Sequence, residues 1–314
     1  VLRFMLGRLL GGLAVLLAVA TLCFFLLHAA PGGPFDGEAR IAPAVQRTIR
    51  ARYHLDESVG AQYLRYLGGL ARGDLGHSIT RPQSVIELIG AHAPRSAALG
   101  LLALGFAIGV GGLTGVLAAR WRGGWVDAGA SLLSLVGLSL PAFVLAPILI
   151  SIFALRLGWL PPARVDDGWT SYLLPAASLG LVYAAVIARL GRAGMLEVLG
   201  EDFIRTARAK GISERAIVWK HAARLGVVPV IAYLGPASAA LIGGSFVVEK
   251  IFQIPGLGHS FVASIGDRDT PVMTGVFVFY AALVVVANLL ADLAHAWLDP
   301  RVREGDRRLG GERS

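Results

Sequence analysis

EVLGEDFIRTARAKGISERAIVWKHAARLGVVP, residues 197–229, forms a charged island between two long apolar runs. Residues 202–210 (DFIRTARAK) read as one short helix, Gly211 breaks it, and residues 213–225 read as a second. In a chain otherwise adapted to lipid, such a segment has to leave the bilayer. What it meets there decides the function.

Working outward from the island, the chain of 314 residues is 55% hydrophobic and only 16% charged, with mean hydropathy +0.65. Soluble domains carry about 25% charged residues. The deficit lies in apolar runs at 9–30, 97–119, 126–155, 172–187, 227–248 and 272–298. A helix crosses a bilayer in roughly 20 residues. The fourth run looks short, but extends if Arg189 and Arg192 lie near the water interface. Strong period-2 alternation is absent, and lipid demands internally satisfied backbone, so a helical bundle is expected rather than a barrel. The fold class is all-α, a polytopic membrane protein of about six helices.

A net charge of +8 raises the possibility of a nucleic-acid partner, but the cations sort by loop instead of pooling on one face. With the N-terminus inside, the inner segments hold Arg3, Arg8, Arg120, Arg122, Arg189 and Arg192. The island adds Arg205, Arg208, Lys210, Arg215, Lys220 and Arg224, and the tail Arg301, Arg303, Arg307, Arg308 and Arg313. The two short outer loops hold only Arg156, Arg164, Lys250 and Arg268, as the positive-inside rule requires. The first outer segment is too long for that rule to govern. Both termini are expected in the cytoplasm, and no nucleic acid is expected as a partner.

Cys23, the single cysteine, excludes an internal disulfide and reads as a packed or lipid-facing residue. The first apolar run exceeds the about 7–15 residues of a signal h-region, so a retained helix is expected. Pro and Gly in APGGPFDGE (30–38) mark a turn at the outer surface. Val45, Ile49 and Tyr53, then Val59, Tyr63 and Leu67, recur every four residues and suggest two short amphipathic helices. These form a structural cap or contact an external partner. GDLGHSI (73–79) reads as a turn before the chain re-enters the membrane.

Gly105, Gly109, Gly111, Gly112 and Gly115 in the second run, and Gly235, Ala239 and Gly243 in the fifth, suit close helix contact in lipid. Pro141, Pro147, Pro229 and Pro236 permit kinks. Asn288, Asp292 and His295 place polar groups in the last run, where they line an aqueous path or tie helices together. They form no proton-relay ladder.

No GxxxxGK[ST] loop is possible, because Lys210, Lys220 and Lys250 are followed by Gly, His and Ile. Nucleotide chemistry would have to come from another chain. HExxH and His/Cys metal spacings are absent. Gly243-Gly244-Ser245-Phe246 with His295 as base formally fits an intramembrane serine protease, although Gly-rich helix packing also explains the string.

The island resembles the cytoplasmic loop of binding-protein-dependent ABC importer permeases, and within them the dipeptide/oligopeptide permease family. Other strings follow in family order: LHAAPGGPF (27–35), YLGGLARGDLGHS (66–78), GLSLPAFVLAP (137–147), LGWLPP (157–162), IPGLGHSF (254–261) and LDPRVR (298–303). APGGPFDGE followed by ARYHLDES (51–58) leans toward the oligopeptide branch. The general pattern is EAA, three residues, Gly, nine residues, then I-x-L-P. Anchored on Gly211, it places Arg205-Thr206-Ala207 in the EAA slot and His221-Ala222-Ala223-Arg224 in the last. The acidic first residue and the final proline are both replaced, as suits this subfamily.

The resemblance implies a type I ABC importer transmembrane fold and a non-catalytic subunit. The implied partners are a second permease, two ATPase subunits carrying ATP and Mg, an extracytoplasmic solute-binding protein and a peptide. The implied location is a bacterial inner membrane. Phe203 and Ile204 would be apolar anchors on the ATPase. Arg205, Thr206, Ala207, Arg208, Lys210, Gly211, Ser213, His221 and Arg224 complete the expected coupling surface. Pro255, Gly256 and Gly258 would form a turn at the outer gate or at the binding protein. The same machinery importing nickel or another small solute is the alternative. The expected division is a first helix at 1–30, an extracytoplasmic segment at 31–93, a core at 94–297 with the coupling loop at about 197–226, and a tail at 298–314.

Overall fold

The computed structural model describes residues 2–29, 56–163, 168–243 and 246–298, with the side chains of 2–5, 291–292 and 294–298 outside the described set. Among the described residues the elements are helices, with one isolated bridge between His77 and Ser84. We label α1 Leu2–Ala29, α2 Val59–Ala71, α3 Val85–Arg120, α4 Trp125–Ser139 and α5 Ala142–Arg156. The island follows α6 (Leu173–Leu199) as α7 (Asp202–Ala209) and α8 (residues 214–226). Then come α9 (Val228–Ile242), α10 (Phe246–Ile251), α11 (Leu257–Gly266) and α12 (Thr270–Leu298).

Among the described residues five stretches are long and apolar enough to cross a membrane singly: Leu6–Ala29, Val85–Arg120, Trp169–Leu199, Val228–Ile251 and Thr270–Leu290. The run at 126–155 is also apolar enough to cross, but as a broken pair rather than one straight helix, because α4 and α5 meet at 111°. The physical cause is Pro141. It holds Leu140 extended (ψ 120°) and lacks the N–H that would continue the helix. The amides of Val144 and Leu145 instead turn back to the Pro141 carbonyl, at 2.9 and 3.2 Å. The short fourth run extends through Arg189 and Arg192 to Leu199.

The chain divides into two compact units. In the unit of Val1–Arg95 and Pro255–Val285, α2 packs its aromatic stripe on α1. Phe24 stacks on Tyr66 at 5.5 Å between centroids, and Thr21 Oγ1 lies 2.8 Å from the Tyr63 hydroxyl. The amphipathic helix expected at 45–53 lies outside the described residues. The turn at 73–80 is held by the buried Asp269, whose carboxylate accepts from the Ser78 and Thr80 hydroxyls and from the Ile79 and Thr80 amides. The same carboxylate accepts from the Val272 amide (3.4 Å) and so caps α12.

In the unit of Ser96–Ile254 and Val286–Ser314, α6 is the central helix. Leu99, Ala146, Leu241 and Phe252 pack with Leu174 and Leu179 of this helix, with little or no exposure. Of the five glycines expected at a contact in the second run, two make one. A Cβ on Gly111 would lie 2.5 Å from the Ala184 carbonyl oxygen, and one on Gly115 2.6 Å from that of Ala188. Gly-x3-Gly on α3 therefore meets Ala-x3-Ala on α6, backbone against backbone. Gly105, Gly109 and Gly112 face open space, turned away by the helical period.

Candidate functional site

The island hangs from the ends of α3 and α6. In α7 the helical period turns Ile204 and Ala207 inward, and they are buried with Val116 and Ala119 of α3 and Met195 of α6. Ile217, Val218 and Ala222 of α8 close the same small core, and Ile212 packs on its edge. Ile204 and Ala207 are therefore corrected from contact residues to the island's foundation. Ile204 is 0% exposed, so a docking protein finds no anchor there.

The link between the two helices is built as a helix stop. Gly211 takes φ +76°, its amide reaches the Arg208 carbonyl at 2.9 Å, and the Ile212 amide reaches the Ala207 carbonyl at 3.2 Å. Ser213 then caps α8, its Oγ accepting from the Ala216 amide at 3.4 Å. Arg208 Nε donates to Glu214 Oε1 at 2.6 Å across the link. That guanidinium holds the Glu214 carboxyl below the usual carboxylate range, and Arg208 is correspondingly raised.

Between α6 and α9 the two legs of the island cross at glycines. A Cβ on Gly194 would sit 2.3 Å from the Gly226 carbonyl oxygen, and one on Gly226 would meet Met195 Sδ at 2.8 Å. This neck, with the small core beside it, makes the island and the ends of α6 and α9 one packed body.

The exposed side chains of the island are of another kind. Phe203 is 43% and Trp219 46% exposed, and Arg205, Thr206, Lys210, His221 and Arg224 are exposed as well. Arg205 makes only an exposed pair with Asp202 (3.2 Å). Residues 202–226 carry six Lys or Arg against two Asp or Glu. A shallow cleft of ≈ 370 Å³ opens between Ser213, Arg215, Trp219 and Lys220. The surface offers two aromatic side chains and Leu225 (50% exposed) in a cationic field, which suits an acidic-rimmed protein groove.

The other expected sites fare differently. Gln253 (φ +53°) makes the turn after α10, and Gly256 precedes α11. Gly258 is corrected from turn to helix, buried in the first turn of α11 because the helix begins at Leu257. Pro255 is half-buried. Asn288 is exposed on α12, while the side chains of Asp292 and His295 lie outside the described set. Ser245, the protease candidate, lies outside the described residues, as do the tail arginines. No three His, Cys, Asp or Glu side chains form a metal-binding group among the described residues.

Sequence reasoning missed the Gly194–Gly226 neck, Trp219, and two polar contacts in the bundle. Glu249, wholly buried, accepts from Ser96 Oγ at 2.8 Å. Asp127 takes Arg192 in a two-pronged pair, at 2.6 and 2.8 Å, and also accepts from the Gly123 amide. Trp219 was legible as the large aromatic of the second island helix. Glu249 lies one residue beyond the apolar run at 227–248, and nothing in its sequence neighbourhood points to Ser96.

The profile of the family described as "Binding-protein-dependent transport system inner membrane component" matches residues 111–304. Its companion, "Binding-prot-dependent transport system membrane comp, N-term", matches residues 1–98. The chain is 42% identical over 304 residues to the oligopeptide transport system permease protein OppB of Haemophilus influenzae, covering 96% of this chain and 99% of the relative. It is 43% identical over 305 residues to the dipeptide transport system permease protein DppB of Bacillus subtilis, covering 96% and 98%. In structure it is similar to a chain of the MetNI methionine ABC transporter solved in inward-facing conformations. The TM-score is 0.54 at 19% identity, over 68% of this chain and 96% of that one, which shows the fold alone.

Proposed function

The chain belongs to the family of binding-protein-dependent transport system inner membrane components, and on that premise we propose that it is a permease subunit of an ATP-driven peptide importer. It pairs with a second, similar permease to form half of a translocation pathway. Two ATPase subunits, which hold ATP and Mg, dock on the island, and an extracytoplasmic solute-binding protein delivers the peptide. Both termini and the island face the cytoplasm of a bacterial cell. This subunit hydrolyses nothing.

The observation that carries the reading is the division of the island into a buried and an offered face. Ile204 and Ala207 root it in the bundle, while Phe203 and Trp219 stand out among cations. A partner that grips this surface moves the neck, and the Gly194–Gly226 crossing passes the displacement to α6 and α9. Nucleotide-driven closure of the ATPases thereby selects between two arrangements of the bundle. The peptide assignment rests on the oligopeptide and dipeptide permeases to which the chain is similar.

The test is ATP-dependent uptake of a labelled peptide by vesicles carrying the complete assembly, with unlabelled peptides of graded length as competitors. Competition that strengthens from two residues to four or five favours oligopeptides. A flat response to peptides, with uptake of a non-peptide solute instead, overturns the assignment.

A further inference from the structure

A cleft of ≈ 300 Å³ opens between α3, α4 and α6 at the island end of the bundle, with Thr114, Ser131, Leu135, Leu138, Arg189 and Arg192 in its walls. It holds roughly ten water volumes, too much for one ordered water. Two arginines three residues apart on α6 enter it, and they differ in one respect. Arg192 is neutralised by Asp127, with both carboxylate oxygens engaged. Arg189 is exposed and has no ion-pair partner among the described residues.

The depth of the cleft follows from its neighbours. Trp121 and Trp125, 47% and 95% exposed, flank the turn from α3 into α4 and mark a membrane–water boundary. Ser131 lies about 9 Å further along α4, at 1.5 Å per residue. Arg189 lies one helical turn deeper than Arg192, within snorkelling reach of that boundary. An unneutralised cation at this depth calls for an anion. From Ser131 inward the mouth of the cleft turns apolar, with Leu135 62% and Leu138 39% exposed.

We propose that this cleft seats an anionic phospholipid, its phosphate on Arg189 and near the Ser131 hydroxyl, its acyl chain along Leu135 and Leu138. Basic pockets between membrane helices select such headgroups. A free anion would satisfy Arg189 but leave the leucine wall unfilled. A sister subunit would have to bring both an acidic side chain and an apolar ridge to the same depth.

The test is electron spin resonance of spin-labelled phosphatidylglycerol against spin-labelled phosphatidylcholine, around the permease pair reconstituted in phosphatidylcholine. Wild type is expected to prefer phosphatidylglycerol about fivefold, the contribution of one cation near an anionic headgroup. Arg189→Gln abolishes the preference and Arg189→Lys keeps it. Ser131→Leu, which fills the cleft from the other wall, abolishes it independently should Arg189→Gln fail to fold. An unchanged preference in both Arg189→Gln and Ser131→Leu overturns the proposal. So does displacement of the labelled lipid by inorganic phosphate, which would make Arg189 an ion site only. Efficient cross-linking of Ser131→Cys to the sister permease would likewise overturn it, by making the cleft a subunit interface.

Discussion

Two polar regions of this chain use their side chains in opposite ways. Around α2 and the turn at 73–80, the polar and aromatic groups are directed at one another. Tyr63 meets Thr21, His28 Nε2 meets Gln62 Oε1 at 3.1 Å, Arg65 grips both oxygens of Glu57, and Asp269 collects the 78–80 turn. The island puts its apolar inner stripe, the Ser213 cap and the Arg208–Glu214 and Arg205–Asp202 pairs to internal use, and leaves Phe203, Trp219, Lys210 and Arg224 outward. α2, the turn at 73–80 and the island all lie outside the long apolar spans. The difference separates a part that completes itself from a part that leaves its largest side chains on offer, which is the surface we propose a partner grips.

The comparison can be broken most forcefully at Asp269. Replacement by Ala leaves the Ser78 and Thr80 donors without their acceptor and should cost about 3 kcal/mol, the upper end for hydrogen bonds to a charged group. Thermal denaturation of the purified permease pair would measure this loss. Peptide-stimulated ATP hydrolysis per folded complex should remain near normal, since nothing offered to the ATPase has changed. The neck gives the converse result. Gly194→Leu forces α6 away from Gly226 and should lower peptide stimulation of ATP hydrolysis about 50-fold, within the range of coupled sites, while assembly with the sister permease persists.

A smaller effect sharpens the contrast on the island's surface. Phe203→Ala combined with Trp219→Ala should weaken ATPase binding about tenfold or more, as removal of aromatic anchors does. Both side chains are largely outside the core, so stability should change by less than about 0.5 kcal/mol. Titration of the permease pair with its ATPase separates the two readouts. The smallest effect belongs to Arg208–Glu214, an exposed pair worth roughly 0.3 kcal/mol. Its carboxyl is held below the usual range when folded, so the contribution is present above an unfolded pKa of about 4.3 and is lost as pH falls through the lowered folded value. Glu214→Gln should increase amide exchange at residues 208–214 at pH 7 and make no difference in strong acid.

The spans were legible because lipid imposes length and apolarity, and the island because its charges are affordable only outside lipid. Gly211 was legible too, since a left-handed helix stop favours that residue. What sequence could not separate was neighbouring residues of like character. Phe203 and Ile204 are adjacent and both apolar, yet the 100° step between them puts one on the surface and the other in the core. Gly194 and Gly226 look like any other small residues of a membrane helix until the fold brings them together across 32 positions. Pro141 looked like a kink, but the extended Leu140 before it made a 111° break. Glu249 and Asp127 take their meaning from Ser96 and Arg192, far away in sequence.

The central claim is that the ATPase grips the offered face of the island and not its root. The most direct measurement is disulfide cross-linking in the assembled transporter after Cys23→Ser, with single cysteines on the island paired against a cysteine scan of the ATPase groove. Phe203→Cys and Trp219→Cys should cross-link efficiently, and Ile204→Cys, one residue from Phe203 but buried, should not. Equal cross-linking at Ile204, or none at Phe203 and Trp219 in a complex that still hydrolyses ATP in response to peptide, would contradict it.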